Sequence, residues 1–477
     1  MSPPAKHAKL SLLDVVAQSV GFMGPVFSGT IVLGLLIGLN ATGKGAGSAA
    51  PLAVVLAAVG MFALGWLVSA YARRVRAAGS LYNYVTLGLG EKAGAAAGYV
   101  YYSGVMILGA AIAVFVGGFV HDTLKARLGF DAIPTLVWQL GLLAGLLVVV
   151  HVGVQVSTRA QLVLALVSMT VLTLFFLYVI VKTGSGNSVK AFRPSSSGDG
   201  WAGILFAVLY GVLLFTGFEA AANLAEETGS PERHIPRAVL ISLAVASAFF
   251  LLGTYAQVAG FHFDVHAMQQ AAAGSPLVTL ASGHAYGASW LGDLVAVMVM
   301  LDLLAVYIGV SVSVGRGLQT MAKDGWLPAR LARESARRGT PVGATALTGA
   351  VYLLCVVASQ IAPKLVAPAG ASGYGPWYGW LSAYGVFCLA AIYLAMAVGA
   401  PRGLRDLGRP VQVWSCSVLA ALITGGAVFG SIYKVPQPTL TASYLAIASV
   451  LVAVVAALVV KGGAVTGEVP VREQVAP

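Results

Sequence analysis

The chain has 477 residues, of which 58% are hydrophobic and 9% are charged, and its mean hydropathy is +0.87. A soluble domain carries about 25% charged residues, so an ordinary soluble enzyme is excluded. The net charge of +11 does not indicate a nucleic-acid partner, because the cations lie between apolar runs rather than along one stripe. This distribution is typical of a membrane protein, in which positive charge sets the topology.

Apolar runs of the length needed to cross a bilayer, about 20 residues, follow one another along the whole chain. We identify twelve of them, at about 12–39, 51–71, 94–120, 133–152, 158–181, 201–225, 236–261, 289–315, 342–362, 378–399, 411–433 and 440–460. The first run lacks the cleavage pattern of a signal peptide. The sequence therefore predicts an all-α integral membrane protein with a single transmembrane domain over residues 1–477 and the lipid bilayer as its surroundings.

The positive residues predict the orientation of the chain. If the N-terminus lies inside, the outer segments hold only eight of the 28 Lys and Arg residues: Lys44, Lys125, Arg127, Lys182, Lys190, Arg193, Lys364 and Lys434. The other 20 lie in the inner segments. Cytoplasmic segments are enriched in Lys and Arg. We therefore expect cytoplasmic N- and C-termini, and an even number of spans agrees with this.

The first run contains a helix-breaking pattern near its centre, formed by Gly21, Phe22, Met23, Gly24 and Pro25. Proline lacks the N–H group of a helical residue and clashes with the preceding turn, so the helix must kink or open there. Amides exposed at the start of a half-helix can bind an anionic group. We therefore interpret these five residues as part of a substrate site.

A second interruption is predicted in the sixth run, where Phe215, Thr216 and Gly217 precede Glu219. A carboxylate at membrane depth is costly and indicates a functional site. Two interrupted helices in corresponding positions point to the substrate site of a secondary transporter. Phe215 is a candidate aromatic gate, since an ammonium group is attracted to a ring face. For Glu219, proton coupling and a structural tie to a neighbouring span both remain open.

Asp302 lies near the centre of the eighth run, where a lone carboxylate should face the protein interior or a cavity. It is a candidate ligand for a substrate ammonium, a sodium ion or a proton, with satisfaction by neighbouring hydroxyl groups as the structural alternative. Tyr307, about 1.5 turns later, is expected to share its cavity. In the third run Tyr101 and Tyr102 are adjacent and cannot face the same way, and we assign Tyr102 to the substrate site.

Three motifs in the same order resemble the amino acid–polyamine–organocation (APC) transporters, and with twelve runs the resemblance covers nearly the whole chain. They are Gly217–Glu219 followed by Glu226–Ala238, Gly315–Pro328 followed by Gly339–Val342, and Ala78–Tyr84. The resemblance implies a LeuT-type fold. Its five-plus-five inverted repeat spans about 12–181 and 201–399, with broken helices 1 and 6 and accessory helices 11 and 12 at about 411–460.

The resemblance implies a permease that moves amino acids or related small amines across the plasma membrane, by proton symport or by exchange. Proton-coupled relatives carry a lysine midway along span 5, and the matching position here is Ser168. A serine cannot serve as a proton-switched cation, so exchange, sodium coupling or another proton carrier is needed. Many relatives also carry a Gly-small-Gly turn where this chain has Met23-Gly24-Pro25, which leaves open a substrate without an α-carboxylate.

Other classes of protein lack their sequence signatures here. A channel normally needs a repeated pore loop, and a membrane enzyme needs a motif such as HExxH; neither pattern is present, nor is a nucleotide-binding P-loop. Cys355, Cys388 and Cys416 lie in apolar runs without metal-ligand spacing. We therefore expect no enzymatic activity, no cofactor and no bound metal, and a monomer or homodimer that binds a small-molecule substrate, with a proton or sodium ion as a possible partner.

Overall fold

The computed structural model describes residues 9–38, 44–75, 81–152, 154–270, 276–283, 285–335, 338–367 and 373–460, with the side chains of all but 127, 154–158 and 269. Residues 78–80 of the third sequence motif lie outside this part of the chain. So do residues 1–8 and 461–477, which carry part of the charge bias.

The described residues form helices and no sheet; the β-type pairing recorded among them is an isolated bridge between Leu10 and Thr228. The first helices are α1 (Leu12–Met23), α2 (Pro25–Phe27), α3 (Leu33–Ile37), α4 (Ala50–Ala72), α5 (Leu81–Leu89), α6 (Glu91–Leu128), α7 (Thr135–Val152) and α8 (Val154–Thr183). A π-helical turn, Ser28–Val32, joins α2 to α3.

The later helices are α9 (Gly200–Leu214), α10 (Pro231–Gly260), α11 (Val265–Gln269), α12 (Pro276–Ser282), α13 (Ser289–Lys323), α14 (Val342–Ile361), α15 (Tyr374–Gly403), α16 (Pro410–Gly430) and α17 (Thr439–Val459). A 3₁₀ segment, Ala220–Glu227, follows α9. Eleven helical segments in the described residues are long and apolar enough to cross a membrane. The predicted run 201–225 is not among them, because its α-helix ends at Leu214.

The first span lies at the centre of the bundle. In its most apolar 18-residue window, 89% of the residues of Leu12–Ile37 are buried, compared with 22% for α7. Helix α1 packs against α8, α10 and α13. At its start the Ser11 hydroxyl accepts a hydrogen bond from the Asp14 amide, and the Asp14 carboxylate accepts one from the Ser11 amide. This capping box fixes the first turn of the central helix.

Glycines allow some of these helices to approach each other at backbone distance. A Cβ atom on Gly88 of α5 would lie 2.6 Å from the carbonyl oxygen of Gly399 on α15. Lipid tails are as apolar as the helix surfaces, so the hydrophobic effect does not drive helices together in a membrane. Small residues at such crossings instead let the backbones pack closely, and this packing stabilises the contact. The many glycines of this chain therefore include positions at which a methyl group has no space.

We predict that Gly88→Ala lowers stability by about 1–3 kcal/mol, because the added methyl group meets backbone that cannot move aside. The matched control is Gly145→Ala on α7, where a Cβ atom would meet nothing within 4 Å. Alanine is the better helix former, so the control should melt at the same temperature as the parent or slightly higher. Thermal denaturation in detergent measures both, and equal melting temperatures for the two variants would contradict the packing argument.

Candidate functional site

The first helix is interrupted at Gly24, as a consequence of the sequence Met23-Gly24-Pro25. Helix α1 ends at Met23, Gly24 has a φ of +55°, and Pro25 begins the next helical stretch. The Ser28 hydroxyl donates a hydrogen bond of 3.0 Å to the Met23 carbonyl. A Cβ atom on Gly24 would lie 2.2 Å from a methyl group of Val306 on α13, so a glycine is required for both the backbone angle and the space.

The second interruption follows α9, which ends at Leu214. Residues 215–219 form turns in which Gly217 has a φ of +104°, and the 3₁₀ segment then begins at Ala220. A Cβ atom on Gly217 would lie 2.0 Å from the ring of Phe22. The two interruptions therefore touch, and we call the region formed by residues 21–25 and 215–219 the junction.

Ser19 ties α1 to the second interruption. Its hydroxyl donates a hydrogen bond of 2.7 Å to the Phe218 carbonyl and accepts one of 3.0 Å from the Ala221 amide. Both main-chain groups lie where the chain changes from turn to 3₁₀ helix. A side chain of the first span thus supplies the hydrogen bonds that the second interruption cannot make internally.

Asp302 lies beside the first interruption. The Phe27 amide donates a hydrogen bond of 2.8 Å to Oδ2 of its carboxylate, so α13 supplies the cap for the helical stretch that begins at Pro25. The side chain is fully buried, and Oδ1 has no hydrogen-bond partner among the described residues. Asp302 is therefore held at the junction by one oxygen while the other oxygen is left without a donor.

Glu219 is also fully buried, and Oε1 of its carboxylate accepts a hydrogen bond of 2.8 Å from the hydroxyl of Tyr101 on α6. Oε2 has no partner among the described residues. The neighbouring Tyr102 instead donates to Oδ1 of Asn223, at 3.3 Å. Adjacent residues on a helix point in different directions. Here Tyr101 contacts the acid, whereas the sequence assigned Tyr102 to the substrate site.

Two other candidate residues pack against neighbouring helices in this conformation, and a third bonds within its own chain segment. The Phe215 ring packs edge-on against Phe250 of α10, with ring centroids 5.3 Å apart. Tyr307 stacks on Tyr352 of α14 at 5.7 Å, on a different side of α13 from the Asp302 contact. Thr216 donates to the Val212 carbonyl within its own chain segment, at 3.4 Å.

Gln161 of α8 contacts the junction, whereas Ser168 bonds to its own helix. The Ser168 hydroxyl donates to the Leu164 and Ala165 carbonyls at 2.7 and 3.1 Å. A Cβ atom on Gly21 would lie 2.6 Å from Oε1 of Gln161, whose amide nitrogen donates to Gln18 at 3.2 Å. The signal that sequence reasoning missed was a glutamine in an otherwise apolar run.

Gln18 completes this polar contact between three helices. Its amide nitrogen donates to the Gly309 carbonyl at 2.9 Å and to the Ser313 hydroxyl at 3.0 Å, both on α13. Uncharged side-chain amides therefore bond to each other and to α13 where α1, α8 and α13 meet, while Oε1 of Gln161 is buried without a hydrogen-bond partner among the described residues. Among the described residues, no group of three or more His, Cys, Asp or Glu side chains is arranged to hold a metal ion.

The fold and this junction define the class of the protein: a multi-pass integral membrane protein built from apolar helices around an interrupted central span. Residues 22–467 match the amino acid permease family, so the chain belongs to that family, within the APC superfamily. The chain is therefore a secondary transporter of amino acids and not an enzyme, which confirms the family and the activity class predicted from sequence.

Relatives that align with between 74% and 90% of this chain are transporters. An uncharacterised transporter of Mycobacterium tuberculosis is 29% identical over 441 residues and covers 90% of both chains. The branched-chain amino acid permease of Bacillus subtilis is 23% identical, over 84% of this chain and 88% of the relative. The L-asparagine permease of Streptomyces coelicolor is 28% identical, over 74% of this chain and 71% of the relative.

Solved structures support the fold. The manganese transporter of Eremococcus coleocola aligns with a TM-score of 0.56 over 96% of this chain and 97% of that chain, at 13% sequence identity. A mutant form of the same transporter aligns with a TM-score of 0.57 at 11% identity. At this identity the likeness concerns the arrangement of helices alone.

We predict that Ser19→Ala destabilises the protein by about 1–3 kcal/mol, because it leaves two buried main-chain groups without their partner. Ser168→Ala is the matched control, since that hydroxyl only bonds back to its own helix and its loss should have little effect. Thermal denaturation of both purified variants measures the difference. Equal shifts would show that the Ser19 contact does not hold the junction together.

Proposed function

We propose that this protein carries amino acids or related small amines across the plasma membrane by alternating access, as a proton symporter or an exchanger. The observation that carries the proposal is the contact between the two interruptions, with Phe22 against Gly217 inside the bundle. Non-helical backbone at membrane depth is tolerated only where protein or a cavity surrounds it. A small substrate would bind between the main-chain groups that these interruptions expose.

The helix lengths support a twelve-span arrangement with inverted repeats over about 12–181 and 201–399. Each proposed repeat begins with an interrupted segment, Leu12–Ile37 and Gly200–Glu227. The third helix of each, α6 and α13, has 38 and 35 residues, and these are the two longest helices in the described part of the chain. The fifth helix of each, α8 and α15, has 30 residues. Helices α16 and α17 would be the accessory spans.

The inner ends of the interrupted segments are held together. The Leu10 amide donates to the Glu227 carbonyl at 2.8 Å, and the Gly229 amide donates to the Leu10 carbonyl at 3.0 Å. Arg316 of α13 forms an ion pair of 2.7 Å with the Glu227 carboxylate. With cytoplasmic termini, as the charge bias favours, this conformation would be closed toward the cytoplasm.

A cavity of about 270 Å³ lies between the second half of the first interrupted segment, helix α9 and helices α15, α16 and α17. Residues that line it include Val32, Leu35, Tyr210, Leu213 and Tyr378. We propose that this cavity belongs to the route by which substrate reaches the junction from outside the cell. The protein would then alternate between access from outside and access from the cytoplasm, where the Leu10 contacts now close the route.

We propose that residues 21–25, Thr216, Gly217 and Asp302 contact the substrate. We place three further residues at the border of the site and not in direct contact with the substrate: Phe215, Tyr102 and Tyr307. Each of these side chains contacts a neighbouring segment of the protein in this conformation.

Glu219 is the proposed proton carrier, and Ser168 is the weaker coupling candidate because its hydroxyl is already bonded within α8. Sodium coupling is the alternative. The amide nitrogen of Gln18 already donates to the Gly309 and Ser313 oxygens, which favours the proton or exchange mechanism over a sodium ion at that contact.

We predict saturable uptake and counterflow by the purified protein in proteoliposomes. Vesicles preloaded with unlabelled L-leucine or L-asparagine should accelerate entry of the labelled amino acid, because a carrier returns faster when loaded. Thermal-shift screening of the standard amino acids selects another substrate if neither binds. Flux that rises linearly with concentration and shows no trans-stimulation would instead indicate a channel, and stimulation by a sodium gradient alone would favour the sodium-coupled alternative.

We predict that Glu219→Gln flattens the dependence of uptake on pH, because an amide cannot carry a proton through the cycle. In a proton symporter the parent should lose uptake as external pH rises, while the variant should vary little. Glu226→Gln, at an exposed neighbouring carboxylate, is the control and should keep the parental profile. An unchanged profile in the Glu219 variant would assign Glu219 to a structural role through Tyr101.

A further inference from the structure

The amides at the start of the second half of the first span face a carboxylate of the protein itself. The helical stretch begins at Pro25, which has no N–H group, and the Phe27 amide donates to Oδ2 of Asp302. A helix start carries partial positive charge and favours an anion. Because Asp302 already occupies this position, a substrate carboxylate bound there would have to displace it or lie beside a second negative charge.

The second interruption also has an acidic residue at the start of its helical segment, but this carboxylate accepts a hydrogen bond from Tyr101 and none from the amides there. Glu219 is the residue directly before the 3₁₀ segment Ala220–Glu227, and its carboxylate is fully buried. Both helical stretches that start at the junction therefore have an acidic side chain at their positive ends. The two helices that end there, α1 at Met23 and α9 at Leu214, present the negative ends of their dipoles.

Asp302 also has an unmet requirement for a hydrogen-bond donor. Its Oδ1 is buried without a partner, and in the described part of the chain no Lys, Arg or His forms an ion pair with it. A buried carboxylate is strongly unfavourable unless it is paired and hydrogen-bonded. A cap alone would be provided equally well by a neutral asparagine or serine. A carboxyl group adds a second oxygen, Oδ1, which can accept a hydrogen bond from a charged donor that enters the junction.

We propose that the junction recognises the positively charged nitrogen of its substrate through Oδ1 of Asp302, and that binding does not require a free α-carboxylate. This inference rests on the proposed function, since it names the substrate group that the same site selects. The substrate class is a small primary ammonium compound: an amino acid, or its decarboxylated, amidated or esterified derivative. A carboxylate without the ammonium group is excluded.

The first test uses the unchanged protein with four matched compounds: L-leucine, L-leucinamide, isopentylamine and 4-methylpentanoate. Each is added as a competitor in the proteoliposome counterflow assay, with the corresponding set built on whichever amino acid the protein transports. The amide and the amine should compete within a few-fold of the parent amino acid. The acid should not compete at the same concentrations.

The second test uses Asp302→Asn, which keeps an oxygen for the Phe27 amide and removes the charge. Affinity for the amino acid, the amide and the amine should fall together by about 10- to 100-fold, the loss expected when a charge-assisted hydrogen bond is removed. The control is Asp406→Asn, at an exposed carboxylate outside the membrane-spanning helices, which should bind all four compounds like the parent.

The outcomes separate this inference from the function on which it rests. If the parent protein shows no counterflow of any amino acid or amine, the proposed function fails. If it transports an amino acid and 4-methylpentanoate competes while isopentylamine and L-leucinamide do not, the carboxylate is the recognised group and the inference is overturned. Unchanged affinities in the Asp302 variant would also overturn it, and the competitor series decides the question by itself if that variant does not fold.

Discussion

The structure depends on one constraint: main-chain N–H and C=O groups released by an interrupted helix must find partners within the protein, because lipid offers none. Side chains from other segments supply them. Ser19 satisfies the carbonyl of Phe218 and the amide of Ala221, and Asp302 accepts from the amide of Phe27. Each interruption is thus completed by a different helix, and the junction exists only when α1, α13 and residues 215–221 are assembled.

Close approach is the second requirement of this arrangement. Gly24 lies against Val306, and Gly217 lies against the Phe22 ring, at distances that exclude a Cβ atom. At both positions the glycine also has a positive φ, which a side chain would make costly. The same residue therefore turns the backbone and admits the neighbouring segment. This explains why the interruptions are marked so clearly in the sequence: conformation and packing both demand glycine.

The sequence indicated the interruptions and their acidic neighbours because Gly, Pro and a membrane carboxylate each carry a strong physical signal on their own. It did not indicate which face of a long apolar helix meets the junction. In α6 the facing was open, and Tyr101 rather than Tyr102 contacts Glu219. In α8 the level was open, because the junction contact is made by Gln161, about two turns before Ser168 on the same face. A helix that is apolar on all sides has no hydrophobic periodicity, so its sequence does not show which side faces a given neighbour. Their orientation is set by packing between distant segments.

The hydrogen bonds also indicate which segments move together when the inner side opens. Helix α1 and Leu10, two residues before it, are joined to residues 218–229 at two levels. Ser19 makes hydrogen bonds near the junction, and the backbone of Leu10 makes them at the inner end. Helix α1 also packs on α13, where Gly309 lies against the backbone of Phe22, but the polar contacts with α13 are made by Gln18 and by the ion pair between Arg316 and Glu227. The bonds between α1, Leu10 and residues 218–229 involve main-chain groups, which would be left without partners if these segments separated. The polar contacts with α13 are made by long side chains, which can bond to water as the site opens, so these contacts cost less free energy to break. We therefore expect α1 and residues 218–229 to move as one unit away from α13, which would expose the unpaired oxygen of Asp302 between them.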